Sequence, residues 1–210
     1  MSATHTSALA HTLLAGRRRR LPAPVLPIPG MGEIALAPAR LHEACGPARH
    51  RFAMWLAAAG EGPVLWVMPQ WQRMRLNPDG MAELASPARF TFIAAERAID
   101  LLWCMEEALR TGCVPLVVGE LPELPSLTQV RRLHLASEIG AQAGVQPLGL
   151  ILTPGDGGAP GVESRWHIIP AHCDGQARWR LCRRRARTAP VKDWLVSQGS
   201  NSLQAISEFA

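Results

Sequence analysis

At 210 residues, 48% of them hydrophobic, the chain is long enough for one substantial α/β core. No stretch approaches the roughly 18 uninterrupted apolar residues that a membrane span requires. A net charge of +5 and a pI near 9.5 invite a nucleic-acid reading. However, the 22 basic residues include a single lysine, Lys192, and tyrosine is absent. A GC-rich codon supply produces that skew, so where the arginines fall says more than their number. The five cysteines are scattered, with no Cys-x-x-Cys pair, and point neither to a disulfide framework nor to a zinc site. His167, His172, Cys173 and Cys182 match no metal-ligand spacing, so no metal is expected.

Residues 1–40 read as a flexible, basic, proline-rich arm. In "GRRRRLPAPVLPIPGMGE" closely spaced prolines disfavour helix and sheet. Arg17–Arg20 follow the apolar stretch, whereas a secretory signal puts its charges first, so a cytoplasmic protein is expected. Those four cations are either a solvated arm or a tail that touches DNA or a partner.

From 41 to 152 strand and helix alternate. Strands are predicted at 41–45, 64–68, 90–94, 114–118 and 148–152, and helices at 48–59, 78–84, 98–110 and 127–141. Asn77-Pro78 supplies a cap and a first-turn proline, and Ser126 with Gln129 has capping-box spacing. In the helix at 98–110, Ile99, Leu102, Trp103 and Leu109 mark the face expected to bury. Near-continuous apolar strands alternating with helices predict a mostly parallel sheet covered on both faces. Beyond 164, "RWHII", "RWRLCRRR" and "DWLVS" are strand-like runs with no helix between them, which predicts an antiparallel extension. Trp166, Trp179 and Trp194 are expected to pack onto the sheet. Residues 199–210 read as a loose polar tail.

The turn at Gly46-Pro47 joins the first strand to the first helix, where many nucleotide-binding domains hold phosphate. A working P-loop reads G-x-x-x-x-G-K-[ST]: glycines for close backbone approach, lysine for phosphate charge, a hydroxyl for magnesium. Here Gly46-Pro47-Ala48-Arg49-His50-Arg51-Phe52 has neither a second glycine nor a lysine nor a hydroxyl. Arg49 or Arg51 could offer charge at the helix N-terminus. Neither replaces the magnesium ligand.

The stretches "RLHEACGP", "GPVLWVMP", "DLLWCMEEALRTGCVPLVVGEL", "RRLHLASEIG" and "ESRW…ARWRLCRRRAR…DWLV" resemble the RecA fold, and more closely its ImuA branch, often labelled SulA-like or RecA-like. The resemblance spans roughly residues 40–198 and implies a degenerate RecA-like domain over 41–198. It places the P-loop glycine on Gly46. Gln70 falls where recombinases end the next strand on a catalytic glutamate, and Glu120 falls on the Walker B carboxylate. Trp71 is expected to fill the space of the missing nucleotide. Glu96 in "FIAAERAID" looks like the recombinase glutamate but comes one strand too late.

The loop "TPGDGGAPGVES" at 153–164 falls where recombinases contact single-stranded DNA, yet it carries no basic residue to neutralise phosphate. The basic cluster is instead Arg178, Arg180, Arg183, Arg184, Arg185 and Arg187, with Trp179 among them. In an extended strand Arg183 and Arg185 point one way and Arg184 the other. Such a face suits weak single-stranded DNA contact or an acidic partner, or it protects an edge strand by charge.

The resemblance implies a non-enzymatic accessory of error-prone translesion synthesis, needing no cofactor. Its implied partners are ImuB, an error-prone C-family polymerase, and RecA itself through the shared fold. Two alternatives stay open: an ATPase using Arg49 or Arg51 with Glu120, and a SulA-like cell-division inhibitor.

Overall fold

The computed structural model describes residues 26–28, 30, 31, 34–199 and 203–209; the Arg17–Arg20 run lies outside them. In chain order the elements begin with the two-residue strands β1 (Leu26–Pro27) and β2 (Ala35–Leu36). Alternating units follow: β3 (Leu41–Cys45), α1 (Arg49–Ala59), β4 (Val64–Pro69), α2 (Pro78–Ala82), β5 (Phe90–Ala95), α3 (Ala98–Thr111), β6 (Leu116–Glu120), α4 (Leu127–Ala143) and β7 (Leu148–Leu152). The chain continues through β8 (Ser164–Pro170), β9 (Arg178–Ala186), β10 (Lys192–Gln198) and β11 (Leu203–Phe209).

The large sheet has nine strands in the order β11-β10-β9-β8-β3-β7-β6-β4-β5. Pairing is parallel from β8 through β3, β7, β6 and β4 to β5, and antiparallel from β8 out to β11. This is the α/β architecture predicted: a mostly parallel centre with helices on both faces and an antiparallel C-terminal extension, consistent with a RecA-like fold. Among the described residues no helix is long and apolar enough to cross a membrane.

β4 and β7 are apolar throughout because each serves two cores. Along β4, Val64, Trp66 and Met68 join the core beneath α1, while Val67 faces the one beneath α3 and α4. In β7, Leu148, Leu150 and Leu152 take the first face and Ile151 the second. The α1-side core also takes Trp166, Trp179 and Trp194, where Trp166 lies 5.9 Å from Trp194 and Trp55 meets Trp179 edge-on at 5.3 Å. Burying large side chains of this kind contributes roughly 1.5–3 kcal/mol each. The caps form as read: Asn77 accepts from the Asp79 amide, and Ser126 and Gln129 close a reciprocal capping box.

Three expectations are corrected. In α3 the buried stripe is Leu101, Met105 and Leu109, spaced i, i+4, i+8 over the sheet, while Ile99 and Trp103 are 67% and 59% exposed. Gly119 explains the choice: a Cβ there would lie 2.1 Å from the Met105 sulfur, so β6 is notched to receive that stripe. Residues 26–28, 30, 31 and 34–36 are not loose arm. The apolar residues between their prolines, Ile28, Met31, Ile34 and Leu36, are buried in the α1-side core. Residues 203–209 are not loose tail either; β11 pairs with β10, and Leu203 and Ala205 pack against the same core.

Candidate functional site

β3 ends at the turn in question, and the chain's own carbonyls already occupy the amides there. Gly46 N–H donates to Gly155 O at 3.0 Å and Ala48 N–H to Ile168 O at 3.1 Å; Pro47 has no N–H to offer. Gly46 is glycine for a reason unrelated to phosphate. Its φ is +89°, and a Cβ would sit 2.5 Å from Ile168 O. The geometry that makes a helix N-terminus an anion site needs free N–H groups aimed outward; here the Gly46 and Ala48 amides point into the 153–164 loop and β8, and those of Arg49 and Arg51 turn back onto Gly46 O and Ala48 O.

The two candidate cations turn away as well. Arg49 Nη1 donates to Gly46 O at 3.3 Å, folding back on the turn. Arg51 lies 5.0 Å over the Trp179 ring on β9, and burial pushes its pKa down. Neither makes an ion pair with Glu120 among the described residues.

Glu120, at the end of β6, is almost fully buried and saturated with donors. Trp66 Nε1 donates to one oxygen at 2.6 Å; His50 Nε2 at 2.9 Å and Gln72 Nε2 at 2.5 Å reach the other. Burial opposes its ionisation, but the hydrogen bond and charge of His50, then Trp66 and Gln72, outweigh it and hold the carboxyl below its usual range. Gln72, not Gln70, is thus the polar partner after β4. Gln70 is exposed, and its backbone N–H donates to Ala95 O at 2.9 Å. Trp71 does not fill a nucleotide space: the Gln72 amide turns back onto Pro69 O, and the indole between them is thrown outward, 53% exposed.

A second buried carboxylate, Glu43 in β3, escapes the sequence reading. It accepts from Thr153 Oγ1 at 2.6 Å, from the amides of Gly158 at 2.9 Å and Ala159 at 3.2 Å, and from Arg165 Nε at 2.5 Å. Cys45 Sγ adds a bond to Asp156 O at 3.1 Å. At Gly157, φ +71°, a Cβ would approach Glu43 Oε1 to 2.8 Å. The 153–164 loop is therefore folded onto the end of β3, where it supplies the Gly155 carbonyl that occupies the turn. The signal was available: a lone glutamate inside an otherwise buried run, "LHEAC".

His42 is buried one residue earlier. Its Nε2 faces the Ala37 carbonyl at 2.8 Å, which can only accept, so the proton sits there and Nδ1 accepts from Ser164 Oγ at 2.7 Å. Ser164 in turn accepts from Trp166 Nε1 at 2.7 Å. Burial pushes the His42 pKa down to about 4.

The β9 cluster is largely consumed by the fold. Trp179, Leu181 and Arg183 alternate inward. Arg183 lies over the rings of Trp166 and Trp194 at 5.7 and 5.1 Å, with Nε on Pro190 O at 2.9 Å. Arg180 pairs with Asp193 at 2.6 Å, Arg184 with Asp156 at 3.2 Å and Arg187 with Glu163 at 3.6 Å; Arg178 hydrogen-bonds Gln176. A register shift opposite Arg165 and Trp166 sets Arg185 outward while Arg183 stays buried, so the two do not share a face. Trp179 is core, not an aromatic platform.

Two of the thiols are held in the protonated form. Burial raises Cys45 to about 12, and burial with the hydrogen bond to Asp193 raises Cys182 to about 11. Among the described residues no three of His, Cys, Asp or Glu gather as a metal site, so His167, His172, Cys173 and Cys182 do not form one.

No protein-family model matches the chain, and no curated protein sequence matches it significantly. The ImuA resemblance rests on the quoted stretches alone.

Proposed function

We propose that this protein is a non-catalytic, RecA-like accessory of bacterial error-prone translesion synthesis, working in the cytoplasm. It acts as an adaptor between an ImuB-like protein and an error-prone C-family polymerase, with RecA a further partner through the shared fold. One observation carries the reading: the phosphate turn donates its amides to Gly155 and Ile168, and Glu120 is spent on Trp66, His50 and Gln72. An ATPase would need Arg49 or Arg51 to converge with Glu120 on a shared phosphate and metal, and they lie on separate contacts. An adaptor also needs surface that partners can cover. Ile99 and Trp103 of α3 are large, apolar and exposed beside a groove with Gln129 and Arg132 of α4.

The test titrates a fluorescent ATP analogue with magnesium, follows hydrolysis with and without single-stranded DNA, and co-purifies the ImuB-like protein with wild type and Trp103→Glu. No nucleotide binding, and capture weakened at least tenfold by Trp103→Glu, is expected. Saturable binding with DNA-stimulated turnover would replace the adaptor with a motor or switch.

A further inference from the structure

The arginines of this chain divide into those the fold uses and those it leaves over. Arg40, Arg97, Arg110, Arg132 and Arg165 all sit in ion pairs, as do Arg180 and Arg184 of β9 and Arg187 just beyond it, and Arg89 caps the end of α1 through the Ala57, Gly60 and Gly62 carbonyls. Arg73 and Arg75 are exposed and make no ion pair or hydrogen bond among the described residues. They flank Met74, itself 76% exposed, two and four residues after Trp71. Among the described residues the Trp71 indole stacks on no ring and carries no cation. No aspartate or glutamate occurs from 62 to 78, and among the described residues no carboxylate from elsewhere pairs with Arg73 or Arg75.

The segment is also held in place. Its entry is fixed by the Gln70 amide on Ala95 O, its middle by Gln72 on Glu120, and its exit by the Asn77 cap of α2. It projects from the C-terminal edge of the parallel strands, the end where open α/β sheets meet their ligands. The carboxylate that would mark a nucleotide site thus anchors a surface loop.

We propose that the Trp71–Arg75 segment binds single-stranded nucleic acid, the Trp71 indole stacking on a base while Arg73 and Arg75 meet phosphates. An exposed aromatic face beside guanidinium groups is the combination that sequence-tolerant single-strand binding uses. Two residues span at most about 7 Å of backbone, so the two guanidinium groups can serve neighbouring phosphates. An acidic protein surface would need the charges but not the indole, which decides for nucleic acid. The inference stands apart from the adaptor reading: an ATP-binding result or a failed ImuB capture leaves it unchanged.

The test is fluorescence anisotropy of a labelled oligo-dT against the full chain over a salt series, for wild type, Trp71→Ala, Trp71→Phe, Arg73→Ala/Arg75→Ala and, as control, Arg185→Ala. Trp71→Ala is expected to weaken binding about 5- to 100-fold and Trp71→Phe to restore most of it, as a stacking role requires. The double arginine variant should lower the salt slope by about 1.4, at roughly 0.7 per phosphate on a single strand. Unchanged thermal melting of these surface variants separates lost binding from lost fold. The proposal is overturned by absence of saturable binding, or by affinity that falls with Arg185→Ala but not with Trp71→Ala. Equal binding of poly-glutamate, or anionic phospholipid vesicles bound through the same residues in place of oligo-dT, would also overturn it.

Discussion

The β9 strand and the loop after β4 carry the same chemistry, arginine beside tryptophan, and the fold treats them oppositely. On β9, Trp179 is buried, Arg183 lies against two tryptophans, and Arg180 and Arg184, with Arg187 just past the strand, each meet a carboxylate from elsewhere in the chain. In the loop, Trp71, Arg73 and Arg75 face solvent, and neither arginine makes an ion pair among the described residues. Local density of cations is thus a poor guide to a binding surface. What counts is whether the rest of the chain has already neutralised them, and the five arginines of β9, with Arg187 just beyond it, turn out to be mostly stabilising structure.

That contrast depends on the 153–164 loop, whose Asp156 neutralises Arg184 and whose Gly155 closes the phosphate turn. Glu43 holds the loop, so Glu43→Ala is the variant with the largest expected effect. It leaves Arg165 partly buried without its carboxylate and the Gly158 and Ala159 amides without an acceptor, at a cost of about 3–5 kcal/mol in urea unfolding. If the folded fraction of that variant also gains affinity for anions, the difference between the two regions is set by this one carboxylate. A loss under about 1 kcal/mol would mean the loop is held by something else.

Acid offers the next largest effect. His42 stays neutral in the fold, with a pKa near 4 against an ordinary 6.5. Between those values the unfolded chain binds the proton and the native state does not, so stability falls as pH drops from about 6.5 and the loss is complete near pH 4, on the order of 3 kcal/mol. Burial depresses His134 and His167 too, adding to the same slope. Subtracting the pH profile of His42→Asn isolates the His42 share; identical slopes would show that the imidazole titrates normally. Because His42, Ser164 and Trp166 form one chain of hydrogen bonds reaching the ring under Arg183, the β9 side should loosen in acid before the Trp71 loop does.

The sequence made the scaffold legible because its signals are local. Apolar runs bounded by turn residues placed β7 at its observed limits, and the Ser126 and Asn77 caps needed only neighbours three residues away or fewer. Where the reading failed, the deciding partner was distant. Arg184 meets an aspartate 28 positions upstream, and Glu43 an arginine 122 positions downstream; no spacing rule reaches that far. The α3 stripe failed for a different reason. The expected face of Ile99, Leu102, Trp103 and Leu109 and the observed stripe of Leu101, Met105 and Leu109 share Leu109 and are both periodic, and the notch at Gly119, on another element, chooses between them. Trp71 was misplaced because an aromatic after a strand looks the same in sequence whether it fills a site or leaves it.

The smallest effects test the comparison most directly. Arg183→Ala removes a guanidinium packed against two indoles and frees the Pro190 carbonyl, and should cost about 2–3 kcal/mol. Arg73→Ala, Arg75→Ala and Arg185→Ala break no ion pair or hydrogen bond among the described residues and should stay within about 0.5 kcal/mol of wild type. Parallel urea titrations of the four variants read this as midpoint shifts at constant slope. If Arg75→Ala proved as costly as Arg183→Ala, the loop would be structural after all, and its cations could not be held available for a ligand. If Arg183→Ala proved neutral, the buried guanidinium would be contributing nothing to the tryptophan cluster, and β9 would regain its claim as a binding strand.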